Sequence, residues 1–258
     1  MTPNTPRVFE SVADFIAFRK TISPDIEIGF VPTMGALHSG HASLLKKSVS
    51  ENDFTVLSIF VNPTQFNDKS DFTNYPKTWK EDLEVATACE VDFILMPTYE
   101  QMYPDQYRYK LSENDFSKKL CGGSREGHFD GVLTVVMKLL NVVGPNHVYF
   151  GEKDYQQFKL IHDMAASFFM PIKIIPCPTL RETSGLAMSS RNVRLSSEGK
   201  TKAALIYKFI SESTSSTEAS QKLTEHGFTV DYVEDFYNRR FVAAFLEGVR
   251  LIDNVEIK

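Results

Sequence analysis

Short apolar runs recur along the first 180 residues, and a helical pattern separates most of them from the next. The runs are "IEIGFVP" (26–32), "FTVLSIFVN" (54–62), "VDFILMP" (91–97), "HVYFG" (147–151) and "IKIIPCP" (172–178). Each is short and apolar at successive positions, which predicts a strand buried on both faces. The segments between them, "HASLLKKSVSEN" (41–52), "TWKEDLEVATACE" (78–90), "GVLTVVMKLLNVVG" (131–144) and "DYQQFKLIHDMAASF" (154–168), read as helices. The third is mostly apolar and ends at a glycine. Repeated β-α-β units with doubly buried strands require a parallel sheet with right-handed crossovers. The predicted fold class is therefore α/β, a Rossmann-like doubly wound parallel sheet. Such sheets bind ligands at the carboxyl ends of their strands, so the residues that follow each run are the candidates for function.

Near residue 180 the texture changes. "RETSGLAMSSRNVRLSSEG" is polar and loop-like. A helix over about 197–212 follows, then a polar link "SESTSSTEAS", a further helix, and the strand-like stretches "FTVDYVEDF" and "RRFVAAFLEGVRLI". The two stretches are able to pair as an antiparallel unit. This predicts a Rossmann-like domain over 1–180 and a second, smaller α+β domain over 181–258. The 258 residues, 42% hydrophobic and 24% charged, are enough for a substantial core. A net charge of -5 implies no basic face and argues against nucleic acid as a partner. A small anionic ligand remains compatible, since it needs only a local group of cations. Cys89, Cys121 and Cys177 lie far apart with no CxxC, which predicts reduced thiols and no zinc site. The start "MTPNTPRVFESVADF" has no basic head followed by an apolar run, and "VLSIFV" is far too short to span a membrane. These features predict a soluble, cytoplasmic protein with no membrane partner.

Four motifs fall at predicted strand ends or at the domain junction. In "VPTMGALHSGH" (31–41), His38 and His41 sit three apart at the start of a helix, on one face of a turn. A helix N-terminus offers free N–H groups and a positive dipole end, which suit phosphate, and Gly35 and Gly40 let the backbone come close to a ligand. The plain alternative is a tight turn with surface histidines. A metal pair is a third reading, but no carboxylate or further histidine is near in sequence. In "FGEKDYQQF" (150–158), Lys153 can reach phosphate oxygens and Asp154 can accept from ribose hydroxyls, or the stretch is only a capped helix. "AMSSRNVRLS" (187–196) offers two serines and Arg191 as a mobile phosphate clamp, or a polar linker. In "SIFVNPTQFN" (58–67), Asn62 and Gln65 are neutral amides able to orient a polar substrate, or form an ordinary Asn-Pro turn.

Six blocks, "VPTMGALHSGH", "SIFVNPTQF", "YPKTWKEDL", "GHFDGVLTVVMKLLN", "FGEKDYQQ" and "GLAMSSRN", resemble in order the signature blocks of the pantothenate synthetase (pantoate–β-alanine ligase) family. The resemblance covers about residues 26 to 195, and the closing "VRLIDN" resembles the family's end. The H-x-G-H block alone indicates only the wider HIGH-type nucleotidyltransferase superfamily. The resemblance implies an AMP-forming ligase. Pantoate's carboxylate attacks the α-phosphorus of ATP to give pantoyl adenylate and pyrophosphate, and the amine of β-alanine then attacks the acyl carbon to give pantothenate and AMP. It implies Mg²⁺ bridging the phosphates, with its protein ligands left open, and a homodimer.

By matched position the resemblance implies that Met34, Gly35, Ala36, Leu37, His38, Ser39, Gly40 and His41 form the ATP-binding turn. His41 is the implied proton donor and phosphate contact, with His38 as its partner. Gly151, Glu152, Lys153 and Asp154 are implied to bind ATP, Lys153 on phosphate and Asp154 near ribose. Leu180 would meet the adenine through its backbone, and Met188, Ser189, Ser190 and Arg191 would close the site. Gln65 and Gln157 would hold pantoate, Gln65 also contacting β-alanine, with Asn62, Val135 and Val136 lining the same pocket. The second domain is shorter than the resemblance implies. The acidic pair Glu81 and Asp82 falls in a stretch linked with Mg²⁺ in the family, or forms a solvated helix face. Two other readings stay open: another nucleotidyltransferase of the superfamily, which leaves the nucleotide on its product, and a non-catalytic ATP-sensing module.

Overall fold

The computed structural model describes residues 5–67 and 69–257. Its larger sheet has six parallel strands: β1 (Arg7–Phe9), β2 (Ile28–Thr33), β3 (Phe54–Ile59), β4 (Phe93–Leu95), β5 (His147–Gly151) and β6 (Lys173–Cys177), in the order β1-β4-β3-β2-β5-β6. All five predicted strands are present. β1 was not anticipated; it is three residues long and takes its place through β4, with Arg7 opposite Phe93 and Phe9 opposite Leu95.

The central strands are apolar at successive positions because both faces are covered. Phe30, Val56, Leu95 and Val148 point into one core, with helix His128–Val143 and helix Tyr155–Ser167. Val31, Leu57, Ile94 and Tyr149 point into another, with helices Ser39–Glu51 and Trp79–Ala88. Full burial of each such side chain contributes roughly 1.5–3 kcal/mol. The strand order reverses between β2 and β5. From β2 the chain runs outward through β3 to β4, and from β5 it runs the other way to β6. The crevice of the fold therefore opens where Thr33 and Gly151 end their strands.

The C-terminal unit has an antiparallel sheet of three strands, β7 (Thr229–Phe236), β8 (Arg239–Leu246) and β9 (Val249–Glu256). The stretch expected to be one strand is two, because the chain reverses at Glu247-Gly248, both with positive φ. The side chains of β8 alternate between faces. Val242, Ala244 and Leu246 pack with Ile206, Phe209 and Leu223 from helices Leu205–Glu212 and Ser216–Glu225. Phe241 joins the core of the large unit. The serine-rich stretch is only partly a link: Ser215 caps the last helix by accepting the Glu218 N–H at 3.1 Å.

Helix His128–Val143 crosses the turn Pro63–Gln65 closely at Gly131. A Cβ there would lie 2.5 Å from the Thr64 carbonyl oxygen and 2.8 Å from the Gln65 Cα. Backbone is rigid on both sides, so Gly131→Ala should lower unfolding stability by about 1–3 kcal/mol. Urea denaturation of the two proteins checks this, and an unchanged midpoint would mean that the turn yields.

Candidate active site

The chain after β2 turns sharply, with positive φ at Gly35 (79°) and Ala36 (51°). One side chain holds this turn. Asp82, on helix Trp79–Ala88 and 2% exposed, accepts the Ala36 N–H at 3.1 Å and the Leu37 N–H at 2.7 Å. Thr78 Oγ1 donates to the same carboxylate at 3.2 Å. A Cβ on Gly35 would lie 2.9 Å from Asp82 Oδ2, so the position needs glycine for space as well as for φ. Glu81 is exposed beside it. The acidic pair is therefore split: Glu81 is solvated, and Asp82 supports the turn.

Helix Ser39–Glu51 then starts on a capping box built from imidazoles. His38 is the N-cap, and its Nδ1 accepts the Gly40 N–H at 3.1 Å. His41 Nδ1 accepts the His38 N–H at 3.3 Å. The rings lie 4.1 Å apart at 33°. With both Nδ1 atoms accepting, each neutral ring carries its proton on Nε2. Burial holds both pKa values far below the usual range. His38 falls to about 4, assisted by the Lys153 charge, and His41 falls to about 3, assisted by His38. At neutral pH the pair is two uncharged N–H donors at a helix N-terminus.

Lys153 arrives from the far side of the crevice. β5 ends at Gly151, a short turn Glu152–Asp154 follows, and helix Tyr155–Ser167 begins. Lys153 Nζ lies 3.6 Å from Asp154 Oδ2. Gln157, two residues into that helix, faces the same cavity. Its neighbour Gln156 is buried and instead donates to the Phe116 and Lys119 carbonyls, both at 2.8 Å.

The amides after β3 form a layered set. Asn62 is 1% exposed, and its Oδ1 accepts from Tyr103 Oη at 2.9 Å and Thr64 Oγ1 at 3.0 Å. Its Nδ2 donates to Gln65 Oε1 at 3.0 Å and to the Gly131 carbonyl at 3.2 Å. Asn62 reaches the cavity wall, but its hydrogen bonds are used within the protein, one of them on Gln65. The Gln65 carbonyl accepts from His128 Nδ1 at 2.8 Å and from Arg125 at 3.3 Å. Burial, reinforced by Arg125, lowers the His128 pKa to about 3, so its ring is neutral. Sequence reasoning missed Arg125 and His128, and offered Asp82 only as a magnesium-linked or solvated acid rather than as the support of this turn. The available signal for the first two was an arginine and a histidine three apart before an apolar helix.

The segment after β6 closes the arrangement. The Met188 N–H donates to the Leu180 carbonyl at 3.0 Å, making a hairpin, and Ser189 caps the turn at Arg191 by accepting its N–H at 3.3 Å. Ser190 and Tyr75 line the same cavity. Arg191 donates to Asp71 Oδ2 at 3.1 Å, and Arg194 donates to Oδ1 at 3.4 Å.

These parts enclose a cavity of about 230 Å³. It is lined by Met34, His38, Gly40, His41, Asn62, Gln65, Gly151, Lys153, Asp154, Gln157, Leu180 and the run Met188–Arg191, on an apolar wall that includes Val135 and Val136. Gly35, Ala36, Leu37, Ser39 and Glu152 do not line it. The Ala36 and Leu37 N–H groups are taken by Asp82, and Glu152 faces Arg239 at 3.5 Å. A second cavity of about 490 Å³ shares Gln65, Lys153 and Arg191 and continues past Arg125, Arg194 and Arg250. Cationic and neutral donors beside two primary amides and an apolar wall suit a polyanion next to a small polar acid.

The sequence pattern of the pantoate–β-alanine ligase family matches residues 7–256. The chain belongs to this family. It is 57% identical over 251 residues to a pantothenate synthetase of Bdellovibrio bacteriovorus, covering 97% of this chain and 99% of that protein. It is 49% identical over 248 residues to one of Legionella pneumophila, covering 96% and 98%. Among solved structures, the pantoate–β-alanine ligase of Francisella tularensis, complexed with β-γ ATP and β-alanine, superposes with a TM-score of 0.92 at 41% identity over 97% of each chain. The pantothenate synthetase of Thermus thermophilus gives 0.88 at 36% identity, covering 97% of this chain and 99% of that one. The small C-terminal unit is therefore shared by ligases of similar length.

Two outcomes follow from this geometry. Asp82→Ala strips the acceptor from two part-buried N–H groups and should cost about 1–3 kcal/mol, together with the alignment of the histidines. Urea denaturation and calorimetric ATP titration read the two effects. His38, His41 and His128 each have a folded pKa below the 6.5 of an ordinary histidine, so the unfolded chain binds more protons as pH falls below that value. Their contribution is complete above about pH 6.5 and is lost as pH falls toward 4. The urea midpoint should drop between pH 7 and pH 5, and His128→Gln should flatten that drop.

Proposed function

We propose that this cavity is where pantoate and ATP are joined as pantoyl adenylate and where β-alanine then displaces AMP, giving pantothenate. The observation that carries the reading is the meeting of the His38–His41 donor pair, Lys153 and Arg191 with Gln65 and Gln157 around one cavity. The family membership and the ATP and β-alanine held by the Francisella relative support it.

In the first step a pantoate carboxylate oxygen forms a bond to the α-phosphorus, and the bond from that phosphorus to the bridging oxygen breaks. Pyrophosphate leaves with the electron pair. The step needs alignment and charge stabilisation more than proton transfer. His38 and His41 donate Nε2–H hydrogen bonds to phosphate oxygens as neutral groups, which revises the implied role of His41 as an acid. Lys153 and Arg191 meet the charge that gathers on pyrophosphate. Gln65 and Gln157 fix the pantoate carboxylate and hydroxyls, and Val135 and Val136 pack against its methyl groups. Asp154 accepts from the ribose, and the Leu180 backbone meets the adenine. In the second step the amine nitrogen bonds to the acyl carbon, the bond from that carbon to the AMP oxygen breaks, and the amine sheds a proton to solvent.

Magnesium belongs to this reading as a companion of the nucleotide. Among the described residues no group of three or more His, Cys, Asp or Glu could hold a metal. Asp154 is the carboxylate on the wall of the first cavity and would be the protein group available to such an ion. When bound it supplies charge neutralisation between the phosphates. The reading also takes 1–180 as the catalytic domain, 181–258 as its lid, and the protein as a cytoplasmic homodimer. Three buried free thiols support a reducing compartment. No described helix is long and apolar enough to cross a membrane.

Pyrophosphate should appear from ATP and Mg²⁺ only when pantoate is present, and AMP only after β-alanine is added. His41→Asn or Lys153→Ala should lower the adenylation rate by about 10²–10³-fold. A stable adenylylated product without AMP would instead indicate a nucleotidyltransferase, and ATP binding without release would indicate a sensing module.

A further inference from the structure

Lys153 stands on a turn that the C-terminal sheet holds from behind. Asn254, on β9 and 3% exposed, donates from Nδ2 to the Glu152 carbonyl at 2.8 Å and to the Lys153 carbonyl at 3.0 Å. Two consecutive carbonyls of the turn are thus gripped by one amide. The amide is itself fixed. Its Oδ1 accepts from Arg239 Nε at 2.9 Å, which sets which end of the amide is NH₂. Arg239 also lies 3.5 Å from Glu152 Oε1 and 4.2 Å over the Tyr155 ring, so it braces the turn from its other side.

The next residue extends this support. Asp253 accepts the Asn254 N–H at 2.8 Å and a two-pronged ion pair from Arg181 at 2.6 and 2.9 Å. Arg181 opens the hairpin that carries Met188 to the cavity. One short stretch of β9 therefore ties together the backbone under Lys153 and the base of the segment bearing Arg191.

We infer that Asn254 is a positioning residue for adenylation, aiming Lys153 into the cavity by fixing the carbonyls of its turn. The inference rests on the ligase reading above. Asn254 lines neither cavity, and the cavity residue it bonds is Lys153, so an effect on adenylation is expected to pass through Lys153. A displacement of about 1 Å at such a group can change rates by about 10²-fold.

The test is a double-mutant cycle on the full-length protein, reading single-turnover pyrophosphate formation with pantoate and, in parallel, the ATP Kd by calorimetry. Asn254→Asp keeps the size but turns an acceptor toward two carbonyls. Pyrophosphate formation should fall about 10–100-fold in the wild-type background and less than about twofold in a Lys153→Ala background, because the shared interaction is already lost. The KM for β-alanine should not move. Equal losses in both backgrounds, or no loss in either, would overturn the inference and leave Asn254 with a structural role alone. If Asn254→Asp does not fold, Arg239→Gln enters the same cycle with about a threefold loss expected, again dependent on Lys153. If the wild-type protein forms no pyrophosphate, the ligase reading fails separately, and the cycle is judged on the ATP Kd by the same criterion.

Discussion

The geometry of the crevice depends on a buried carboxylate that does not line it. Asp82 accepts two consecutive backbone N–H groups and a threonine hydroxyl, and this set of donors replaces the water that a buried charge would otherwise need. The bonds fix a turn with two positive φ angles, and that turn decides where helix Ser39–Glu51 begins. The start of the helix decides which residues are N-cap and N3, and here they are the two histidines. Their capping bonds in turn select the Nε2–H tautomers. A single side chain on a neighbouring helix thereby sets the hydrogen-bonding character of the candidate phosphate site.

Much of this was legible in the sequence, for reasons that also mark the limits. Strands buried on both faces must be apolar without alternation, so β2 through β5 were readable, and β6, an edge strand with Lys173 and Pro176 exposed, still carries enough apolar residues to be read. The edge strand β1 has three residues and a position set only by β4, which no local pattern encodes. The turn between β8 and β9 lacked strong punctuation because one positive φ falls on Glu247 rather than on glycine or asparagine. At the site, the histidine pair, Lys153 and Gln65 could be found because each directly follows a strand, where a parallel sheet gathers its ligands. The supporting roles of Asp82, His128 and Asn254 could not. Their partners lie 45, 63 and 101 residues away in sequence, and their roles exist only through those contacts.

The supports are built in tiers. Asn62 holds Gln65 from within its own turn, while His128, at the start of helix His128–Val143, and Arg125, just before it, hold the same residue from across the fold. Asn254 does for Lys153 what Asn62 does for Gln65, but from the other sheet. Both are asparagines because an amide can donate and accept at once. A serine could not span two carbonyls, and an aspartate would meet them with the wrong charge. The small sheet therefore cannot move as a free lid without disturbing the turn that presents Lys153.

The charge arrangement follows the same economy of contacts. A buried cavity that already holds Lys153 cannot also hold two imidazolium ions, since each would lose its hydration and repel the others. Neutral imidazoles avoid this cost and still donate, so the pair can bind an anion without being charged. Arg191 is handled differently. Its guanidinium is paired with Asp71, which also accepts from Arg194. Any anion that recruits Arg191 must therefore exchange places with a carboxylate. A single carboxylate would replace Asp71 with little net gain, whereas a polyphosphate presents more oxygens and more charge to the same guanidinium. The ion pair thus favours highly charged ligands at this corner of the cavity, and the uncharged histidines leave the helix N-terminus able to accept an anion without a second cation pair.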